Sequence, residues 1–329
     1  MTKRRIKMFS ATRRVLAFAA LATVPLVGLA AAQPASAAPV VTHGGWIAPA
    51  SSGSAVPHGA VPRVAASGYD MVGSDGGVFV FGSPGGFFGS LPGLGVRVNN
   101  VVGMVGSFNG QGYFLVGSDG GVFSFGDTTF EGSLPGIGVH VNNIVGLVPS
   151  SDDKGYFLVG ADGGVFAFGD AQYEGSLPGS GIHVSDIVGI AGTPDNQGYW
   201  LLGADGTIYN FGTAPAAQAL TCDTGPGTCV PLVSIVSTST GQGLWITDQW
   251  GDVFTYGDAN NYGDFSNSST GPTNIVSLVP GAGDQGYLLV GSDGGIFSFG
   301  QTNFFGSLPG IGVSVNNIVG AVATHPAVN

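Results

Sequence analysis

The chain has 329 residues, 60 of them glycine, with 9 lysines and arginines against 20 aspartates and glutamates and a formal net charge of −11. Acids outnumber cations about two to one, which makes nucleic acid and anionic lipid poor partners on electrostatic grounds. Strong helix formers are scarce, whereas Gly, Val, Phe, Ser and Asn abound, and that balance predicts an all-β chain of strands and tight turns.

Residues 1–37 open with a basic stretch, continue through an apolar run over 15–32 and end on the small triplet Ala35-Ser36-Ala37. This is the pattern of a signal peptide with its cleavage site, and it predicts a secreted, extracellular protein with no membrane span in the mature chain. An uncleaved anchor is the rival reading, because the run approaches the length that crosses a bilayer. The segment around Arg13 and Arg14 also loosely resembles a twin-arginine export signal. Cleavage would leave Arg63, Arg97 and Lys154 against all 20 acids, a net charge of −17. Residues 38–67, rich in Ala, Pro, Ser and Gly, read as a lead-in.

From residue 68 onward one phrase recurs. GYFLVGSDGGVFSFGD from Gly112 returns as GYFLVGADGGVFAFGD from Gly155 and as GYLLVGSDGGIFSFGQ from Gly286. Unit starts at Gly68, Gly112, Gly155, Gly198, Gly243 and Gly286 are spaced 44, 43, 43, 45 and 43 residues apart, the period of a repeated supersecondary unit. In the second unit, runs at 113–117 and 122–126 are joined by Ser118-Asp119-Gly120-Gly121, a hairpin whose tip tolerates positive φ. Residues 130–133 read as an outer strand, and residues 144–148 as an inner strand before the next Gly-Tyr pair. Four short strands per period predict a six-bladed β-propeller of four-stranded blades over 68–329. A seventh copy of the inner run, at 318–323, follows the sixth unit, so the C-terminal strand is expected to close the ring inside the first blade. A linear stack is the rival, but it needs atypical caps, and here the terminal repeats are among the most regular.

These repeats resemble the GYWLVASDGGVFAFGDA-type repeats of secreted actinobacterial proteins, over roughly residues 68–323. The fourth unit departs from the pattern with GTAPAAQALTCDTGPGTC and the fifth with TDQWGDVFTYG. The resemblance implies a β-propeller outside the cell, used as an accessory module beside cell-wall hydrolases, with no activity ascribed to the repeat itself. The repeats are expected to consume the chain and leave no companion catalytic domain.

Asp75, Asp119, Asp162, Asp205 and Asp293 share one hairpin position and read as turn residues rather than as a carboxylate ring. They resemble the sialidase Asp-box only loosely, and two mature arginines cannot supply that enzyme's arginine cluster. Residues 258–263 match half of a calcium loop, but position twelve is Ser269 instead of a bidentate Glu. His43, His58, His140, His183 and His325 fall in no HExxH pattern, and no GxSxG elbow exists. Neither catalytic residues, metal nor cofactor are therefore expected. Cys222 and Cys229 in TCDTGPGTC predict a local disulfide in an exported chain.

Positions where the copies disagree are the candidate site. In the long inter-blade loop Arg97, His140, His183 and Ser314 vary beside Asn99, Asn100, Asn142, Asn143, Asp186, Asn316 and Asn317, although such Asn residues also serve turns. In the fifth unit Trp245, Asp248 and Trp250 break the pattern, and Trp250 is taken as a stacking residue, with buried packing as the alternative. Polar, variable side chains on a repeated frame suit a non-enzymatic module that binds an extracellular or cell-wall glycan or protein. The alternatives are a hydrolase or lyase with an Asp/His site at the channel mouth and a structural envelope protein.

Overall fold

The computed structural model describes residues 67–82, 86–107, 110–150, 152–220 and 231–324. The expected signal peptide, nearly all of the lead-in and both cysteines, Cys222 and Cys229, lie outside these residues. Among the described residues no helix is long and apolar enough to cross a membrane.

The described chain is all-β. Its strands are β1 (Gly68–Gly73), β2 (Val78–Gly82), β3 (Val101–Gly106), β4 (Gly112–Gly117), β5 (Val122–Gly126), β6 (Ile144–Pro149), β7 (Gly155–Gly160), β8 (Val165–Gly169) and β9 (Ile187–Gly192). They continue as β10 (Gly198–Gly203), β11 (Ile208–Gly212), β12 (Leu232–Ser237), β13 (Leu244–Asp248), β14 (Val253–Tyr256), β15 (Ile275–Pro280), β16 (Gly286–Gly291), β17 (Ile296–Gly300) and β18 (Ile318–Thr324). Six three-stranded antiparallel sheets result, in a propeller-like arrangement. Five are consecutive in sequence, from β3-β4-β5 to β15-β16-β17; the remaining sheet is β18-β1-β2, where Gly68 faces Thr324 and Met71 faces Ala321.

Each middle strand is buried along its whole length, as GYFLVG of β4 is, because neighbouring sheets cover both of its faces. Apolar clusters lie between successive sheets. Phe114 and Leu147 share one between the second and third sheets, and Phe157 and Ile190 another between the third and fourth. Met71 of the first sheet packs in the same way with Val290 of the sixth. The entering strands touch in the order β3, β6, β9, β12, β15, β18 and again β3. Their third residues are Gly103, Gly146, Gly189, Ser234, Ser277 and Gly320, small enough to let adjacent backbones approach.

The outer run at 130–133 is not a strand, so the sheets have three strands and not the four expected. Its backbone groups are taken by a side chain of the next sheet instead of by a ladder. Tyr156 Oη donates to the Gly132 carbonyl (2.5 Å) and accepts from the Glu131 N–H (3.1 Å). Tyr113, Tyr199 and Tyr287 hold Gly89, Gly175 and Gly263 in the same way, at 2.5, 2.5 and 2.7 Å. Tyr69 of β1 does so with Gly306, from the far end of the chain. After four of the five clamps, all but that on Gly263, the segment turns through one 3-10 turn, for example Pro135–Ile137, entered by proline and ended by Gly138 at φ 77°. Leu134, just before it, donates its N–H to the Gly120 carbonyl (3.1 Å) and lies over the hairpin tip.

Candidate functional site

A belt of backbone hydrogen bonds gathers the hairpin tips and the loop ends on one face. Ser118 N–H donates to the Asn100 carbonyl (2.8 Å), and the Ser118 carbonyl accepts from Ile144 N–H of the next sheet (2.9 Å). The pair recurs as Ala161 with Asn143 and Ile187 (3.2 and 2.9 Å), and as Ser292 with Asn274 and Ile318 (2.8 and 3.0 Å). Ser74 continues it with Asn317 and Val101 (2.8 and 3.0 Å). A β-bulge at the start of the entering strand, as between Val101 and Gly103, offsets the residues leading into it.

Within this frame the loop alternates. Val96, Val98, Val139, Val141, Val184, Val313 and Val315 pack on the apolar clusters. The residues between them, Arg97, His140, His183 and Ser314, face solvent at one equivalent position, as do Asn99, Asn142 and Asn316. Asn100, Asp186 and Asn317 are half-buried against the belt. Asn143 is buried, with neither side-chain amide atom hydrogen-bonded. A Cβ on Gly117 would lie 2.5 Å from Asp119 Oδ1 and 3.2 Å from Asn100 Nδ2, so the bare glycine is what lets these two polar groups converge. Asn274, equivalent to Asn100, was missed in the sequence because its loop lacks the Val-Asn-Asn context; its place directly before the Ile-Val-Ser run was the available signal.

The recurring hairpin aspartates are turn residues. Asp119 Oδ1 accepts from Gly121 N–H (3.0 Å), and Asp75, Asp162, Asp205 and Asp293 each accept from the N–H two residues on, at 3.0, 2.9, 2.8 and 2.9 Å. The fifth hairpin exchanges two positions. Asp248 stands where the others have glycine, and its Oδ1 accepts from Trp250 and Asp252 N–H (2.9 and 3.0 Å). That frees the usual aspartate position for Trp250, which is 45% exposed. Burial pushes the Asp248 carboxyl up, and burial followed by the nearby Asp264 charge does the same to Asp252. Trp245, by contrast, is buried, and its indole N–H donates to the Asn260 carbonyl (2.9 Å), so it is a packing residue.

The half calcium loop is otherwise engaged. Asp258 accepts from Thr238 and Thr240 hydroxyls at 2.9 and 2.5 Å. Among the described residues no group of three or more His, Cys, Asp or Glu is placed to hold a metal ion. No family model matches the chain, and no curated protein is detectably similar to it.

Proposed function

We propose that the chain is a secreted, non-enzymatic six-bladed β-propeller, closed by its C-terminal strand, that binds a cell-wall glycan through the loop face. The reading rests on one observation: a hydrogen-bonded belt presents side chains that differ from copy to copy, Arg97, His140, His183 and Ser314, and adds an exposed indole at Trp250. A repeated frame with varied polar groups and one flat aromatic suits a sugar, whose hydroxyls take the polar groups while a ring face stacks on Trp250. Support for closure comes from the β18–β1 pairing, from the Tyr69 clamp on Gly306 and from the succession of entering-strand contacts. The resemblance to actinobacterial secreted repeats agrees with a site of action outside the cell.

Glycan-array and cell-wall pull-down assays on the mature protein test this reading. Binding is expected, with Trp250→Ala weakening it about tenfold or more. Empty results in both assays would remove the proposal, and capture of a wall protein alone would replace the glycan. A hydrolytic reading draws on the upward-shifted carboxyls of Asp248 and Asp252 beside Trp250. Release of reducing ends from a bound glycan, abolished in Asp252→Asn, would favour it.

A further inference from the structure

The residue after the tyrosine of each middle strand, or after Leu244 in β13, is apolar in five sheets, where it is Phe114, Phe157, Trp200, Trp245 or Leu288; in the first sheet it is Asp70. Where the next sheet has a clamping tyrosine, the apolar residue at this position faces it; Trp200 instead packs with Leu244. Phe114 meets Tyr156 with ring centroids 5.3 Å apart, and Phe157 meets Tyr199 at 5.1 Å. Asp70 occupies the same seam toward Tyr113, with which it interacts electrostatically.

Asp70 has no exposure to solvent, and among the described residues neither of its carboxyl oxygens has a hydrogen-bond partner. It lies in register with Val322 of β18 and Val80 of β2. A Cβ on Gly86 would sit 3.1 and 3.2 Å from the two oxygens and 2.9 Å from Thr324 Cγ2, so the segment at Gly86 closes over both side chains. Thr324 Oγ1, in the last described residue of β18, is likewise buried without a partner. β18, β2 and β3 bring no ionisable residue, and β4 brings only the Tyr113 phenol. No cation faces the carboxyl from these elements, and an ionised carboxylate unpaired in such surroundings is strongly disfavoured.

We propose that Asp70 is a proton-operated latch on the seam between the first and last strands: as the neutral acid it allows β18 to pair with β1, and its ionisation loosens that pairing. Burial lifts the Asp70 carboxyl to about 8, whereas an aspartate in the unfolded chain titrates at about 4. The sign follows. Below about 4 both states hold the proton and the stability is complete; between about 4 and 8 only the folded state holds it, so stability falls as pH rises; above about 8 the loss is complete.

Thermal unfolding and hydrogen exchange of the mature protein from pH 5 to pH 9, for wild type, Asp70→Leu and Asp70→Asn, test the latch. The wild-type midpoint is expected to fall by about 10 °C or more relative to Asp70→Leu across that range. Exchange protection should drop in β18 while that of β6, the equivalent strand of the third sheet, persists. Wild type also serves alone, since the comparison of β18 with β6 needs no variant to fold. Parallel pH profiles for wild type and both variants, or equal loss of protection in β6 and β18, would overturn the proposal. So would stabilisation at pH 9 by millimolar calcium that wild type shows and Asp70→Leu lacks, because the carboxylate would then be a metal ligand.

Discussion

The hydroxyl of Tyr156 both donates to Gly132 and accepts from Glu131, so it replaces two ladder bonds that a fourth strand would have made. Removing it leaves a carbonyl and an N–H short of partners at a half-buried junction. Tyr156→Phe is therefore expected to cost about 1–2 kcal/mol, read as a lower midpoint in urea with an unchanged slope. The fifth unit shows the same logic in reverse. Its middle strand carries Leu244 where five others have tyrosine, and the outer segment it would clamp is that of the fourth unit, which lacks the Gly-Ser-Leu-Pro-Gly run. Both irregularities are visible in the sequence, but their link is not, because the tyrosine and its glycine sit about 24 residues apart in different repeats, as with Tyr156 and Gly132. Asp70 escaped for a related reason: GYDMVG keeps the spacing and the glycines of its neighbours, and only lining up the residue after the tyrosine across the units exposes the carboxylate.

At the scale of the element, the hairpin and the turn that leads away from it form one packed unit. Gly120 at the tip has φ 75°, and a Cβ there would fall 2.5 Å from Leu134 Cδ1. Gly138, at the end of the following 3-10 turn, has φ 77° with nothing within 4 Å of such a Cβ. Alanine suffers the same backbone strain at either site, about 1 kcal/mol, so the contrast isolates the contact with Leu134. Gly120→Ala should be the more destabilising by about 1–3 kcal/mol, measured by denaturant unfolding; equal losses would mean that the leucine does not fasten the tip. The hairpins were legible because Asp-Gly turns between β-rich runs have a local signature. The outer segment was not, since its conformation is decided by a tyrosine from another repeat. Its Phe-Glu-Gly-Ser composition alone does not separate a short strand from an extended clamp.

For the whole molecule, the proposed ring makes the position of the chain ends incidental. Ser67 N–H donates to the Thr324 carbonyl (2.8 Å), so the described ends already meet across the first sheet. A chain in which 324 is joined to 67 by a short flexible linker and new ends are opened between Asp152 and Asp153 would make β6 its last strand, paired with β7 at its start. The third sheet would then do what the first does now. Asp152 lies in an exposed turn with Lys154, so the cut breaks a solvated ion pair of little energetic weight. This permutant is expected to unfold cooperatively with a midpoint within a few degrees of wild type. A chain ending at Asn317, without β18, is expected to lose cooperative unfolding, because the first sheet's middle strand and the clusters on either side would lie open. The opposite pair of results, a tolerated truncation and a permutant that does not fold, is what an open stack of sheets would give. In a stack, β18 only decorates one end and joining the termini strains the array.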